Sequence, residues 1–143
     1  MANILVKTYD PKMVTISFMG QTLSGFADGT FINITRSGNL FNKKKGAAGD
    51  VERINMNAFD FSVELTLQQT AASNQVLSGL ANADSVGNVG VGPLQVKDLN
   101  GETLFLAPQA WIAKDPDVTY GDDTNGRTWL FETGDAGLNL AGN

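Results

Sequence analysis

From Phe59 to Leu67 the chain reads Phe-Asp-Phe-Ser-Val-Glu-Leu-Thr-Leu, with Phe59, Phe61, Val63, Leu65 and Leu67 at every second position and Asp60, Ser62, Glu64 and Thr66 between them. A period of two separates an apolar face from a polar one only when the backbone is extended, so the stretch predicts a β-strand. At ~3.3 Å per residue that strand would run roughly 30 Å, longer than most. The design recurs from Lys12 to Met19, where Val14, Ile16 and Phe18 oppose Met13, Thr15, Ser17 and Met19, and from Thr30 to Arg36, where Ile32 and Ile34 oppose Phe31, Asn33 and Thr35. Each apolar side needs a partner layer. Whether the polar side meets water, another subunit or a channel is the functional question.

Around these strands the pattern predicts an extended start from Ile4 to Tyr9 and a turn at Asp10-Pro11, because proline fixes φ and pushes its predecessor away from helix. Gly20-Gln21 and Ser24-Gly25 punctuate a hairpin-like connection, and Asp28-Gly29 a further turn. Between Ser37 and Ala58 two weakly apolar arms flank the tip Lys43-Lys44-Lys45-Gly46-Ala47-Ala48-Gly49-Asp50, which predicts a β-hairpin projecting from the body at about 37–58. Val76, Leu77 and Leu80 form an apolar stripe that predicts one helix over Asn74 to Ala83, capped by Thr70 or Ser73. A glycine-rich loop from Ser85 to Gly92 precedes further strands at Pro93–Lys97, Thr103–Ala107, Gln109–Ala113 and Arg127–Glu132, with Asn100-Gly101 and Asn125-Gly126 as type I′ turn signals. The small, polar segment from Gly134 to Asn143 is expected to be ordered only by contact with something else. Seven or eight strands with one flanking helix indicate a mainly β fold, a β-sandwich or partly closed barrel, in a single domain over 1–143.

Composition narrows the chemistry. The 143 residues include no cysteine and no histidine. Disulfides, thiolate zinc sites and thiol nucleophiles are thereby excluded, together with the commonest general base and the Ser-His-Asp relay. Only Ser-Lys, carboxylate-pair or hard-metal chemistry would be left to an enzyme, so no enzymatic activity is expected. No apolar run suits a signal peptide or a bilayer span, and a soluble chain made in the cytosol is expected, with no membrane partner. Charged residues are 17% of the chain. A sparsely charged β-protein must protect its strand edges by other means, and pairing them with copies of itself is one. The net charge of −5 argues against tight nucleic-acid binding, which needs clustered cations.

Three constellations invite a chemical reading. Asp115, Asp117, Asp122 and Asp123 could hold calcium, but an EF-hand counted from Asp115 has Tyr120 at its glycine position and Gly126 at its bidentate glutamate; a solvated turn is the better reading, and no metal or cofactor is expected. Gly46-Ala47-Ala48-Gly49 lacks the Gly-Lys-Ser/Thr ending of a phosphate loop. Lys43, Lys44 and Lys45 could touch phosphates, but on a net-negative protein ion pairs or solvated side chains are the better reading, and against another acidic copy of the chain they would help set its register. Trp111 and Trp129 are a candidate sugar-stacking pair, with core packing the plainer alternative.

Val6-Lys7-Thr8-Tyr9-Asp10-Pro11-Lys12 and Leu23-Ser24-Gly25-Phe26-Ala27-Asp28-Gly29-Thr30-Phe31-Ile32 resemble a family of small bacteriophage structural proteins, the tail tube proteins of contractile-tailed phages. Leu65-Thr66-Leu67-Gln68-Gln69-Thr70 with Ser73-Asn74, and Val96-Lys97-Asp98-Leu99 with Ala110-Trp111-Ile112, extend the likeness over about Val6 to Glu132. Ala48 stands where the family pattern has an acid. The resemblance implies a β-sandwich-like subunit with one flanking helix, six copies to a ring, and rings stacked into a hollow tube inside a contractile sheath. It also implies tail sheath, baseplate and tail terminator proteins as partners, a place in the virion tail after synthesis in the host cytoplasm, and genomic DNA passing through without specific binding.

Four strands per subunit would give a ring of ~24 strands, and at ~4.8 Å spacing with ~40° tilt a wall roughly 48 Å across. On that picture Thr15, Ser17, Asn33, Thr35, Asp60, Ser62, Glu64, Thr66 and Gln68 would line the bore. Lys43, Lys44, Lys45, Asp50, Glu52 and Arg53 would bridge subunits or rings. Inward-facing negative charge would keep DNA off the wall over distances near the ~8 Å Debye length. A secretion-system tube of the same fold and a monomeric β-sandwich that binds a sugar or peptide are the alternatives.

Overall fold

The computed structural model describes residues 6–101 and 103–140. Among them are ten strands: β1 (Val14–Phe18), β2 (Gln21–Leu23), β3 (Ile32–Arg36), β4 (Phe41–Lys45), β5 (Val51–Asn55), β6 (Phe61–Leu67), β7 (Gly92–Asp98), β8 (Leu104–Lys114), β9 (Arg127–Thr133) and β10 (Gly137–Asn139). One α-helix, α1 (Ser73–Gly87), lies between β6 and β7. Seven strands form an antiparallel sheet in the order β2-β1-β7-β8-β9-β6-β3, with β10 added to β8, and β4 pairs with β5 in a separate ribbon. The protein is therefore mainly β with one helix, as the alternation predicts. It has more strands than the seven or eight expected, and the sheet is open: no ladder joins β2 to β3, so it is not a closed barrel.

The alternation sets the faces. Along β6, Phe61, Val63, Leu65 and Leu67 are buried while Ser62, Glu64 and Thr66 are not, and β7 alternates strictly in the same way. Inward residues of the sheet meet Leu77 of α1 in one core. The sheet must bend to do this. Phe18 on β1 and Phe131 on β9 are three strands apart, ~14 Å on a flat sheet, yet their rings meet edge to face with centroids 5.1 Å apart. The sheet thus folds over its own apolar face like a sandwich, with segment 24–31 connecting its two edge strands. Within that segment Phe26 bridges to Leu67, and Gly25, at φ +80°, packs so tightly that a side chain there would collide with Ala71.

Local departures from the sequence pattern have identifiable causes. The central strand begins at Phe61, not Phe59: Asn57 turns the backbone at φ +51°, and Phe59 remains 43% exposed. The first connection is a two-residue turn of Met19 and Gly20, both at positive φ, which suits the twist of β1 and β2. Helix α1 continues past Ala83 because its stop is Asn88, in the left-handed conformation with its N–H on the Asp84 carbonyl. Neither expected cap operates at its start. Ala72 is the N-cap and has no side-chain bond, while the Ser73 hydroxyl accepts from the Ser24 N–H at 2.9 Å.

The strands expected at Thr103–Ala107 and Gln109–Ala113 are one continuous β8, in which Pro108, unable to donate, falls where the register with β7 shifts. Asn125-Gly126 does not form a tight turn; 115–126 is a long loop, and the Asn125 N–H bonds to the Gln69 side chain. At Asn100-Gly101 the turn is built on Asp98, whose carboxylate accepts from the Asn100 N–H. The segment after Gly134 finds its order within the chain, as β10 pairs with β8 and Leu138 packs against the core. Of the expected start at Ile4 to Tyr9, residues 4–5 lie outside the described residues and 6–9 form no strand. The last three residues of the terminal segment, 141–143, also lie outside them.

Candidate functional site

Registers fix which polar side chains are neighbours on the outward face of the sheet. Asn33 pairs with Glu64, and Glu64 with Leu130; Thr35 pairs with Ser62, and Ser62 with Glu132. Thr66 faces Thr128, and their hydroxyls share a hydrogen bond at 3.1 Å. Five of the nine residues assigned to a bore, Asn33, Thr35, Ser62, Glu64 and Thr66, therefore form one polar field across β3 and β6. It continues onto β9 through Thr128 and Glu132, which sequence reasoning missed although the alternation of β9 points to them. Asp60 and Gln68 flank β6 at its two ends. Thr15 and Ser17 are elsewhere: they pair with Lys97 and Gln95 on the outward side of β1 and β7. Because β1 and β9 face each other through the core, that side points away from the Glu64 field.

The second feature is the ribbon of β4 and β5, whose ten strand residues are all exposed. Its register places Phe41, Lys43, Lys45, Val51, Arg53 and Asn55 on one face and Asn42, Lys44, Glu52 and Ile54 on the other. The first face is cationic and partly apolar; the second is electrically balanced. Lys43 lies directly opposite Arg53, an unfavourable like-charge pair, and the Arg53 guanidinium sits over the Phe41 ring, 4.1 Å from its centroid. Asp50 belongs to the tip, where its carbonyl accepts from the Gly46 N–H at 2.7 Å and Gly49 takes φ +91°. The stretch Gly46 to Gly49 is thus a hairpin end. At the root, Arg36 donates to the Ala58 carbonyl and stacks on Phe61, tying the arm to the sheet.

The other constellations separate. Trp129 is buried and its indole N–H donates to Asn74 Oδ1 at 2.9 Å, whereas Trp111 lies on the outward face opposite Glu132. Among the described residues no three Asp, Glu, His or Cys side chains are grouped as a metal site would require. In the acidic loop, Lys114 Nζ lies 3.7 Å from Asp117, with both side chains well exposed. An open cavity of about 480 Å³ is lined by Glu64, Lys114, Asp115, Asp117, Asn125 and Leu130, among others, and a second of about 480 Å³ by Asp28, Gln69, Asp123 and Asn125, among others.

No protein-family model matches the chain. Its sequence is 27% identical over 144 residues to structural protein ORF10 of Pseudomonas phage KPP10, across 95% of this chain and 83% of that protein. Its fold is shared with a chain in the cryo-EM structure of the anti-feeding prophage cap, a tube-terminating cap, with a TM-score of 0.66 and 9% identity over 98% of this chain and 97% of that one. A chain in the structure of an extracellular contractile injection system, the PVC sheath/tube terminator in its extended state, matches with a TM-score of 0.63 and 9% identity over 96% of this chain and 100% of that one. A chain in the virion of a native gene transfer agent matches with a TM-score of 0.60 and 12% identity over 93% of this chain and 100% of that one. At such identities these three likenesses are of fold.

Proposed function

We propose that this chain is a structural component of a phage tail, and specifically a tube subunit: six copies close into a ring, and rings stack into a hollow conduit for DNA. The observation that carries this reading is the near end-to-end sequence likeness to a phage structural protein, joined to a fold shared with chains of tube-terminating assemblies. Tail sheath, baseplate and terminator proteins would be its partners, the virion tail its location, and no bond would be made or broken.

The polar field around Glu64 would line the bore, with Glu132 adding a second carboxylate per subunit. Six copies would then surround DNA with negative charge, and at ~8 Å screening length repulsion would act only close to the wall. The opposite side, bearing Thr15 and Ser17, would face away from the DNA. The lining is proposed for these residues because they share one face of the sheet.

A second reading is favoured by the two structures described as terminators. In it the same subunit forms one ring that ends a tube. Electron microscopy of the purified protein at high concentration tests both. Open-ended tubes of constant width support the tube subunit, discrete rings that never lengthen support the terminator, and monodisperse monomers contradict both.

A further inference from the structure

We infer that the cationic face of the arm docks on the acidic 115–126 end of a second copy, so that copies join head to tail along the strand direction. The inference rests on the tube reading and names the contact that would stack its rings. Its first support is position. The arm leaves β3 after Arg36 and rejoins β6 before Phe61, and these two residues pair. At the other end of β6, Leu67 pairs with Arg127, the residue that follows the acidic loop. With seven residues in β6, the arm root and the loop are separated by about 20 Å of strand.

Its second support is charge. The arm, 37–58, carries four of the ten cations and two of the fifteen acids, a net +2 against −7 for the rest of the chain. The loop 115–126 carries four acids and no cation. The flanking cations are both directed at Asp117: Lys114 lies 3.7 Å from its carboxylate, and an Arg127 N–H donates to its carbonyl at 3.5 Å. Asp115, Asp122 and Asp123 thus have no ion-pair partner among the described residues.

Its third support is what the arm lacks. A lone two-stranded ribbon is marginal in water, and this one exposes Phe41 and Val51 beside Lys43, Lys45 and Arg53. An anionic surface would relieve the Lys43–Arg53 opposition. The open cavity beside Asp28 and Asp123, which no cation lines, offers such a surface. Since donor and acceptor are different patches, the contact is heterologous, and because they lie at opposite ends of β6 it would run from one ring to the next and not around a ring.

A charge exchange tests it. Lys43→Glu, Lys45→Glu and Arg53→Glu together, or Asp115→Lys, Asp122→Lys and Asp123→Lys together, should each raise the protein concentration needed for stacking by about tenfold or more. All six changes in one chain should restore it. If the wild type forms tubes but the loop reversal leaves stacking unchanged, or the six-fold variant stays as defective as its parents, the docking is wrong while the tube reading stands.

Cross-linking provides a readout independent of assembly, because the chain has no cysteine of its own. A mixture of Val51→Cys and Thr124→Cys chains treated with a short bismaleimide should give a linked pair that neither chain gives alone. A linked pair without tubes would uphold the docking and remove the tube reading. No linked pair would overturn the docking.

Discussion

Asn74 shows how one polar residue joins helix to sheet. Its Oδ1 accepts from the Trp129 indole at 2.9 Å and its Nδ2 donates to the Gln68 carbonyl at 2.8 Å. Asn74→Ala would remove both the acceptor of the part-buried Trp129 indole N–H and the donor to the Gln68 carbonyl, which should cost about 1–2 kcal/mol in urea unfolding. The exposed neighbour Gln75→Ala should stay within about 0.5 kcal/mol. At this scale the sequence was partly readable. The plain reading of Trp129 as core holds because its strand neighbours alternate, but nothing in its spacing names Asn74 as its partner. Ser73 illustrates the opposite case: a residue type that suits a helix cap is instead used by the Ser24 N–H.

Among elements, those with a strong period were legible and those made by pairing were not. β1, β6 and β9 announce themselves because one face is buried along most of their length. β10 has only three residues and owes its existence to β8, so no local pattern reveals it. Asn125-Gly126 carries a hairpin signal, yet Arg127 pairs with Leu67, and tertiary pairing overrides the local turn preference. The arm is legible from its composition and separable in its packing, since among the described residues β4 and β5 pair only with each other. Replacing 40–56 with a short Gly-Ser linker should therefore leave the unfolding free energy of the body within about 1 kcal/mol. The same variant should lose assembly, as measured by sedimentation velocity. A body that unfolds without the arm would show that the ribbon contributes to the core after all.

For the whole molecule, the order β2-β1-β7-β8-β9-β6-β3 matters more than any strand in it. That order depends on contacts between distant parts of the chain, so the sequence pattern correctly marks polar faces without saying which of them adjoin. This is why the polar residues first grouped as one lining divide into the Glu64 field, its two flanks and the Thr15–Ser17 side. The central claim is that the field of Asn33, Thr35, Ser62, Glu64, Thr66, Thr128 and Glu132 faces the inside of a ring of copies. A cryo-EM reconstruction of the assembled protein tests it most directly. The account predicts a hollow ring of six subunits with Glu64 and Glu132 on the inner wall and Thr15 and Ser17 away from it; Glu64 on the outer surface, or a particle with no central bore, would contradict it.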